Sequence, residues 1–176
     1  MILSRIVVWL ARMLALLGGI VLIAVIIMTV ASITGRAFVR FGLGPVPGDF
    51  ELVQAGVGFA VFAFLPWCQL NRGHATVDIL TVFFSRRVNH IIDLVTELLM
   101  TLAIGLIAWQ LYYGMRDKLA YGETSFILQF PQWWPYAACF MASVIAAIVS
   151  VYMVAVRFNE LRTGAPVAVS GQGSMH

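Results

Sequence analysis

Four long stretches of this chain contain no Asp, Glu, Lys or Arg: Met13 to Gly35, Leu52 to Asn71, Leu98 to Met115, and Thr124 to Val156. Charges gather between them. A helix that crosses a bilayer needs roughly 20 apolar residues, because the hydrocarbon core is ~30 Å thick and each residue rises ~1.5 Å. Each stretch suits one crossing, and none suits two. Pro131 and Pro135 break the start of the fourth. The expectation is an all-α integral membrane protein with helices at about 8–35, 49–71, 88–113 and 132–158. Strands are excluded because a membrane barrel requires alternation over ~10 residues, and these stretches do not alternate. In lipid, helices satisfy their own backbone groups.

Composition supports the same class. Charged residues make up 11% and hydrophobic residues 61% of the 176, where a soluble domain is ~25% charged. Mean hydropathy is +0.94. The net charge of +3 reads as a topology signal and not as affinity for nucleic acid. Arg5, Arg12, Arg72, Arg86, Arg87, Arg157 and Arg162 fall on one side of the expected arrangement, and Arg36, Arg40, Arg116 and Lys118 on the other. The excess predicts both termini in the cytoplasm. Trp109, Tyr112, Tyr113, Trp133, Trp134 and Tyr136 mark outer boundaries, and Trp9 and Trp67 inner ones. The first stretch is longer than the apolar region of a secretory signal, so it is expected to stay as a span. Residues 1–163 read as one membrane domain and 164–176 as a small, polar, flexible tail.

Few residues here can do chemistry. Cys68 and Cys139 fall at different depths, too far apart for a disulfide, and read as apolar packing. His74 and His90 lie toward the inner loop and His176 is the last residue; none is at mid-membrane depth, which argues against axial haem ligation or a His-based metal site. No cofactor is expected. Asp93 and Glu97, one turn apart, open the third helix. The simpler reading places both at the inner interface, favoured by the helix dipole. The sharper one makes Glu97 a coupling residue, with Arg12 as a partner. Gly18, Gly19, Gly56 and Gly58 are candidates for close helix approach, either within this chain or to a partner. Pro66 is expected to kink the second helix.

After the second stretch comes Asn71-Arg72-Gly73-His74-Ala75-Thr76-Val77-Asp78. Gly73 permits a sharp turn, and Thr76 or Asp78 can cap a short helix beginning there. Val77 to Phe84, ending in Ser85-Arg86-Arg87, is too short to span and reads as a helix lying along the inner surface. On chemistry alone His74 and Asp78 belong to a structural turn.

Arg-Gly-His-x-x-Val-Asp after an apolar helix resembles the small membrane subunit of tripartite ATP-independent periplasmic (TRAP) transporters, the DctQ-like family. Three further segments resemble it in order: Gly35-Arg36, then Pro47-Gly48-Asp49-Phe50-Glu51-Leu52, then Gly122-Glu123-Thr124 with Pro131-Gln132-Trp133-Trp134-Pro135. The resemblance implies a non-catalytic scaffold for a large multi-span subunit, in a sodium-coupled importer of organic acids fed by a periplasmic solute-binding protein. It implies a multi-pass protein of the bacterial inner membrane in contact with lipid. Arg36, Glu51, Gly73, His74, Asp78, Trp133 and Trp134 would then serve fold and assembly; by topology Arg36 and Glu51 lie on the outer side, either near a docking binding protein or in contact with lipid headgroups. Competing readings are a membrane anchor for a redox enzyme complex and a self-sufficient small exporter or channel.

Overall fold

A computed structural model describes residues 2–71 and 86–163. It holds four long helices: α1 (Ile2–Ala37), α2 (Asp49–Leu70), α3 (Arg86–Tyr121) and α4 (Trp133–Thr163). A single 3-10 turn at Val39–Phe41 follows α1. All four helices are long and apolar enough to cross a membrane. The segment 77–84, expected to lie along the inner surface, falls outside the described residues, as do Gly73, His74 and Asp78.

The first, third and fourth helices run beyond the expected limits, α1 starting at Ile2 instead of near residue 8. Helix α3 continues to Tyr121 instead of stopping near 113. Arg116 and Lys118 prolong it because they are good helix formers, and leaving the apolar zone does not end a helix. Gly122 ends it: its φ is 61° and its N–H bonds the Leu119 carbonyl at 3.3 Å, a left-handed cap that glycine adopts without strain. Helix α4 runs to Thr163 and not 158. Pro66 lies buried inside α2 without ending it.

The helices pack in the order α1, α2, α4, α3; α1 and α2 run antiparallel, α2 and α4 parallel, and α4 and α3 antiparallel. Helix α4 is central, with 44% of its apolar window buried against 11% for both α1 and α3. Its sequence explains this. Cys139, Ala142, Ser143, Ala146, Val149, Ser150, Met153 and Val156 are buried, and they recur at three- and four-residue intervals. Small side chains on one stripe let neighbouring backbones approach, which is how helices associate where lipid removes the hydrophobic drive. Helices α1 and α3 make no substantial contact with each other. They form two edges whose outer faces are apolar and unpaired.

Two packing clusters hold the arrangement. Near the termini, Val7 and Ala11 of α1 meet Leu70 of α2 and Val149, Met153 and Val156 of α4. Nearer the middle, Leu14, Ala63 and Ala142 pack together. Glycines set the spacing. A Cβ on Gly18 would fall 2.9 Å from the Ala63 Cβ, and one on Gly56 would fall 2.5 Å from a Val25 methyl. Gly58 faces Cys139 across α2 and α4, while Gly19 faces open space. Of the four glycines offered for close approach, Gly18 and Gly56 therefore join α1 to α2 within this chain.

Candidate functional site: two polar fastenings at opposite ends

At the end of the helices that carries the α1–α2 and α3–α4 connections, Ser32 of α1 is fully buried. Its hydroxyl donates to Asp49 Oδ2 at 2.5 Å and accepts the Val46 N–H at 3.3 Å. Arg36 donates to the same Asp49 oxygen at 2.5 Å, although its side chain is 58% exposed. Asp49 Oδ1 accepts the Phe50 N–H at 2.8 Å. Asp49 thus opens α2, favourably placed against the helix dipole, and ties it to the last turns of α1. The tie needs a tight connection, and Gly35 supplies the room: a Cβ there would collide with the Gly44 carbonyl oxygen.

Glu51, two residues on, reaches a different element. Its Oε1 accepts the Ile127 N–H at 2.8 Å, and its Oε2 accepts the Leu128 N–H at 3.1 Å. Both oxygens of this carboxylate are engaged by the chain's own α3–α4 connection. That connection is a built loop. Thr124 and Pro131 form an antiparallel bridge, Ser125 N–H bonds the Phe130 carbonyl at 2.9 Å, and Gln132 N–H bonds the Glu123 carbonyl at 2.9 Å. Gln129 holds φ 53°, and Lys118 pairs with Glu123. Leu128 lies over Gly48, where a Cβ would overlap it. Trp133 and Trp134 open α4 with their rings edge to face at 6.2 Å, and Trp134 N–H closes a turn on the Pro131 carbonyl at 3.1 Å.

At the opposite end a polar chain crosses three helices. Glu97 of α3 is 9% exposed, and its Oε1 accepts a hydrogen bond from Gln69 Nε2 of α2 at 2.5 Å. Gln69 Oε1 accepts from the Ser150 hydroxyl of α4 at 2.7 Å. One to two turns away, Arg157 of α4 pairs with Asp93 at 3.2 Å and with Glu160 at 3.3 Å. Arg12 is exposed on α1 and is not the partner of Glu97, which turns to Gln69 instead. A buried polar group costs most when unpaired, so the chain acts as a fastener between α2, α3 and α4. Sequence reasoning found Asp93 and Glu97 and missed Gln69, Ser150, Arg157 and Glu160. A lone Gln in an apolar helix is the signal that could have found the network, since such a residue requires a partner in lipid.

These two fastenings, the glycine-spaced α1–α2 contact and the small-residue face of α4 build a slab of four spans. No group of three or more His, Cys, Asp or Glu converges among the described residues. The surface depressions are apolar, one lined by Leu106, Ile107, Gln110, Leu111 and Tyr136. Residues 25–160 match the family model described as the DctQ component of tripartite ATP-independent periplasmic transporters. The chain belongs to the DctQ family. It is therefore a multi-pass component of a TRAP transporter. The matched segment runs from the middle of α1 to near the end of α4 and includes both polar fastenings. No curated protein and no solved structure matches the chain.

Proposed function

We propose that this DctQ chain is the small, non-catalytic subunit of a sodium-coupled importer of organic acids, bracing the large transport subunit in the bacterial inner membrane. Both termini lie in the cytoplasm in this reading. The family supports it, and one observation carries it: α1 and α3 present long apolar edges, with Ile20, Ile23, Ile27 and Val30 exposed on one and Leu98, Leu99, Leu102 and Leu106 on the other. A slab with its polar groups turned inward and its edges apolar is suited to fill the space between a large membrane neighbour and lipid. The large subunit would supply the sodium and solute sites, and a periplasmic binding protein would deliver the solute.

Arg36 and Glu51 serve assembly of the fold in this proposal. Both already have partners within the chain, and each carboxylate oxygen of Glu51 already accepts a backbone N–H of the α3–α4 loop. His74 and Asp78 are assigned to contact with the large subunit's cytoplasmic side. The test is reconstitution. Large subunit, binding protein and this chain together should take up an organic acid under a sodium gradient, and omission of this chain should abolish uptake. Solute movement by this chain alone in liposomes would overturn the scaffold reading.

A further inference from the structure

The α3–α4 loop has a feature that fastening does not explain. Its tip is Ser125-Phe126-Ile127-Leu128-Gln129-Phe130, without a charge. Phe126 is 95% exposed, and Ile127 and Leu128 are also exposed. Phe50 stands exposed beside Glu51, and Tyr121 and Trp134 stand exposed where α3 ends and α4 begins. Left in water, a side chain such as Phe forgoes the free energy that burial of its apolar surface would give. Neighbouring apolar residues at one exposed tip therefore mark a contact surface.

We infer that this loop is a membrane-interface anchor, with Phe126 and Ile127 seated among the lipid headgroups and upper acyl chains at that face of the bilayer. The depth of the loop is set by its tether. Glu51 holds the Ile127 and Leu128 amides in the first turn of α2, and the apolar run of α2 begins one residue later, at Leu52. The tip therefore cannot extend into solvent; it is held level with the boundary where the spans enter lipid. Its composition fits that depth, since aromatic side chains favour the headgroup zone. Its charge distribution fits too. The carboxylate nearest the tip is turned to the loop's own amides, and the exposed tip side chains Phe126, Ile127 and Leu128 are apolar, as an element lying ~5–10 Å into the headgroup boundary requires. A soluble binding protein would meet a more polar surface, because transient interfaces are about as polar as ordinary protein surface. The inference rests on the four spans and not on the scaffold proposal.

The test uses the assembled transporter in nanodiscs of phosphatidylethanolamine and phosphatidylglycerol. A phosphatidylcholine probe with a diazirine high in one acyl chain should label the wild-type peptide that contains Phe126 and Ile127, as it labels the lipid-facing spans of the assembly. Labelling confined to the spans overturns the proposal, and so does cross-linking of that peptide to protein instead. In parallel, Phe126→Cys in a Cys68→Ala, Cys139→Ala background carries a nitroxide. Its ratio of oxygen to nickel-chelate collision should exceed that of a label at the exposed Asp117→Cys by severalfold. An equal ratio, meaning a water-bathed tip, overturns the proposal. A tip shielded from both reagents overturns it as well, in favour of a protein partner.

Discussion

Single residues decide how the ends of the slab close. Glu51 is the clearest case, because one carboxylate receives two backbone N–H groups from a loop that lies 76 residues away in the chain. Charge-assisted bonds of this kind are about twice as strong as neutral ones. In Glu51→Gln one oxygen is replaced by an NH2 group that faces a donor, so one bond is lost and a repulsion replaces it. Amide exchange at Ile127 and Leu128 should accelerate by roughly tenfold, read by hydrogen–deuterium exchange mass spectrometry in detergent, while α4 exchange stays unchanged. The glycines of α1 give a sharper contrast between adjacent positions. Gly18 touches Ala63, and Gly19 faces open space. Alanine gains up to ~1 kcal/mol over glycine in a helix, so Gly19→Ala should leave the isolated chain as stable or slightly more so. Gly18→Ala must push α1 from α2 and should destabilise by about 1–3 kcal/mol. Thermal unfolding of the purified chain distinguishes them.

At the scale of helices, the polar chain Ser150–Gln69–Glu97 is the link whose removal is most informative. Gln69→Leu leaves both Glu97 and Ser150 without their partner. Interhelical hydrogen bonds in membranes contribute about 0.6–2 kcal/mol, and an orphaned buried group costs about 1–3 kcal/mol. The single variant should lower stability by a sum of that order and loosen α3 first, because among the described residues α3 has only α4 as a substantial neighbour. Adding Glu97→Leu removes the orphaned acid, so the double variant should be more stable than Gln69→Leu alone. Chemical denaturation in detergent checks this; a double variant weaker than the single one would mean that Glu97 has another role. The helices themselves were legible because four uncharged stretches match the thickness of a bilayer. Their extensions were not. Arg116 to Lys118 and Arg157 to Glu160 read as interface or loop, since charge signals where lipid ends and not where a helix ends. The network was half legible: an acid in a span draws notice, whereas its Gln and Ser partners lie on two other helices and share no spacing with it. Likewise Ser32, Arg36 and Asp49 were visible as residues, but their meeting depends on the tight α1–α2 turn, where Gly35 leaves room for the Gly44 carbonyl.

For the whole molecule, length and exposure together limit what the slab can do. Helices α1 and α3 each have 36 residues, about 54 Å at ~1.5 Å per residue, against a hydrocarbon core of ~30 Å. Tilt accommodates part of that excess, and the remainder must project past the bilayer. The two longest helices are also the two edges, and α1 and α3 have no substantial contact with each other. Nothing among the described residues closes the slab into a ring, so each edge must meet either lipid or another protein. A bracing subunit uses one edge for each. Cysteines at Ile23 or Ile27 probe the α1 edge, and cysteines at Leu102 or Leu106 probe the α3 edge, all four sites being exposed. In a Cys68→Ala, Cys139→Ala background, one edge should cross-link to the large subunit with a short bifunctional thiol reagent. The other should react only with a lipid-borne probe. Reaction of both edges with lipid in the assembled transporter would remove the bracing role. Cross-links from both would place this chain between two protein neighbours, and the slab would then be a joint between bodies and not a margin of one.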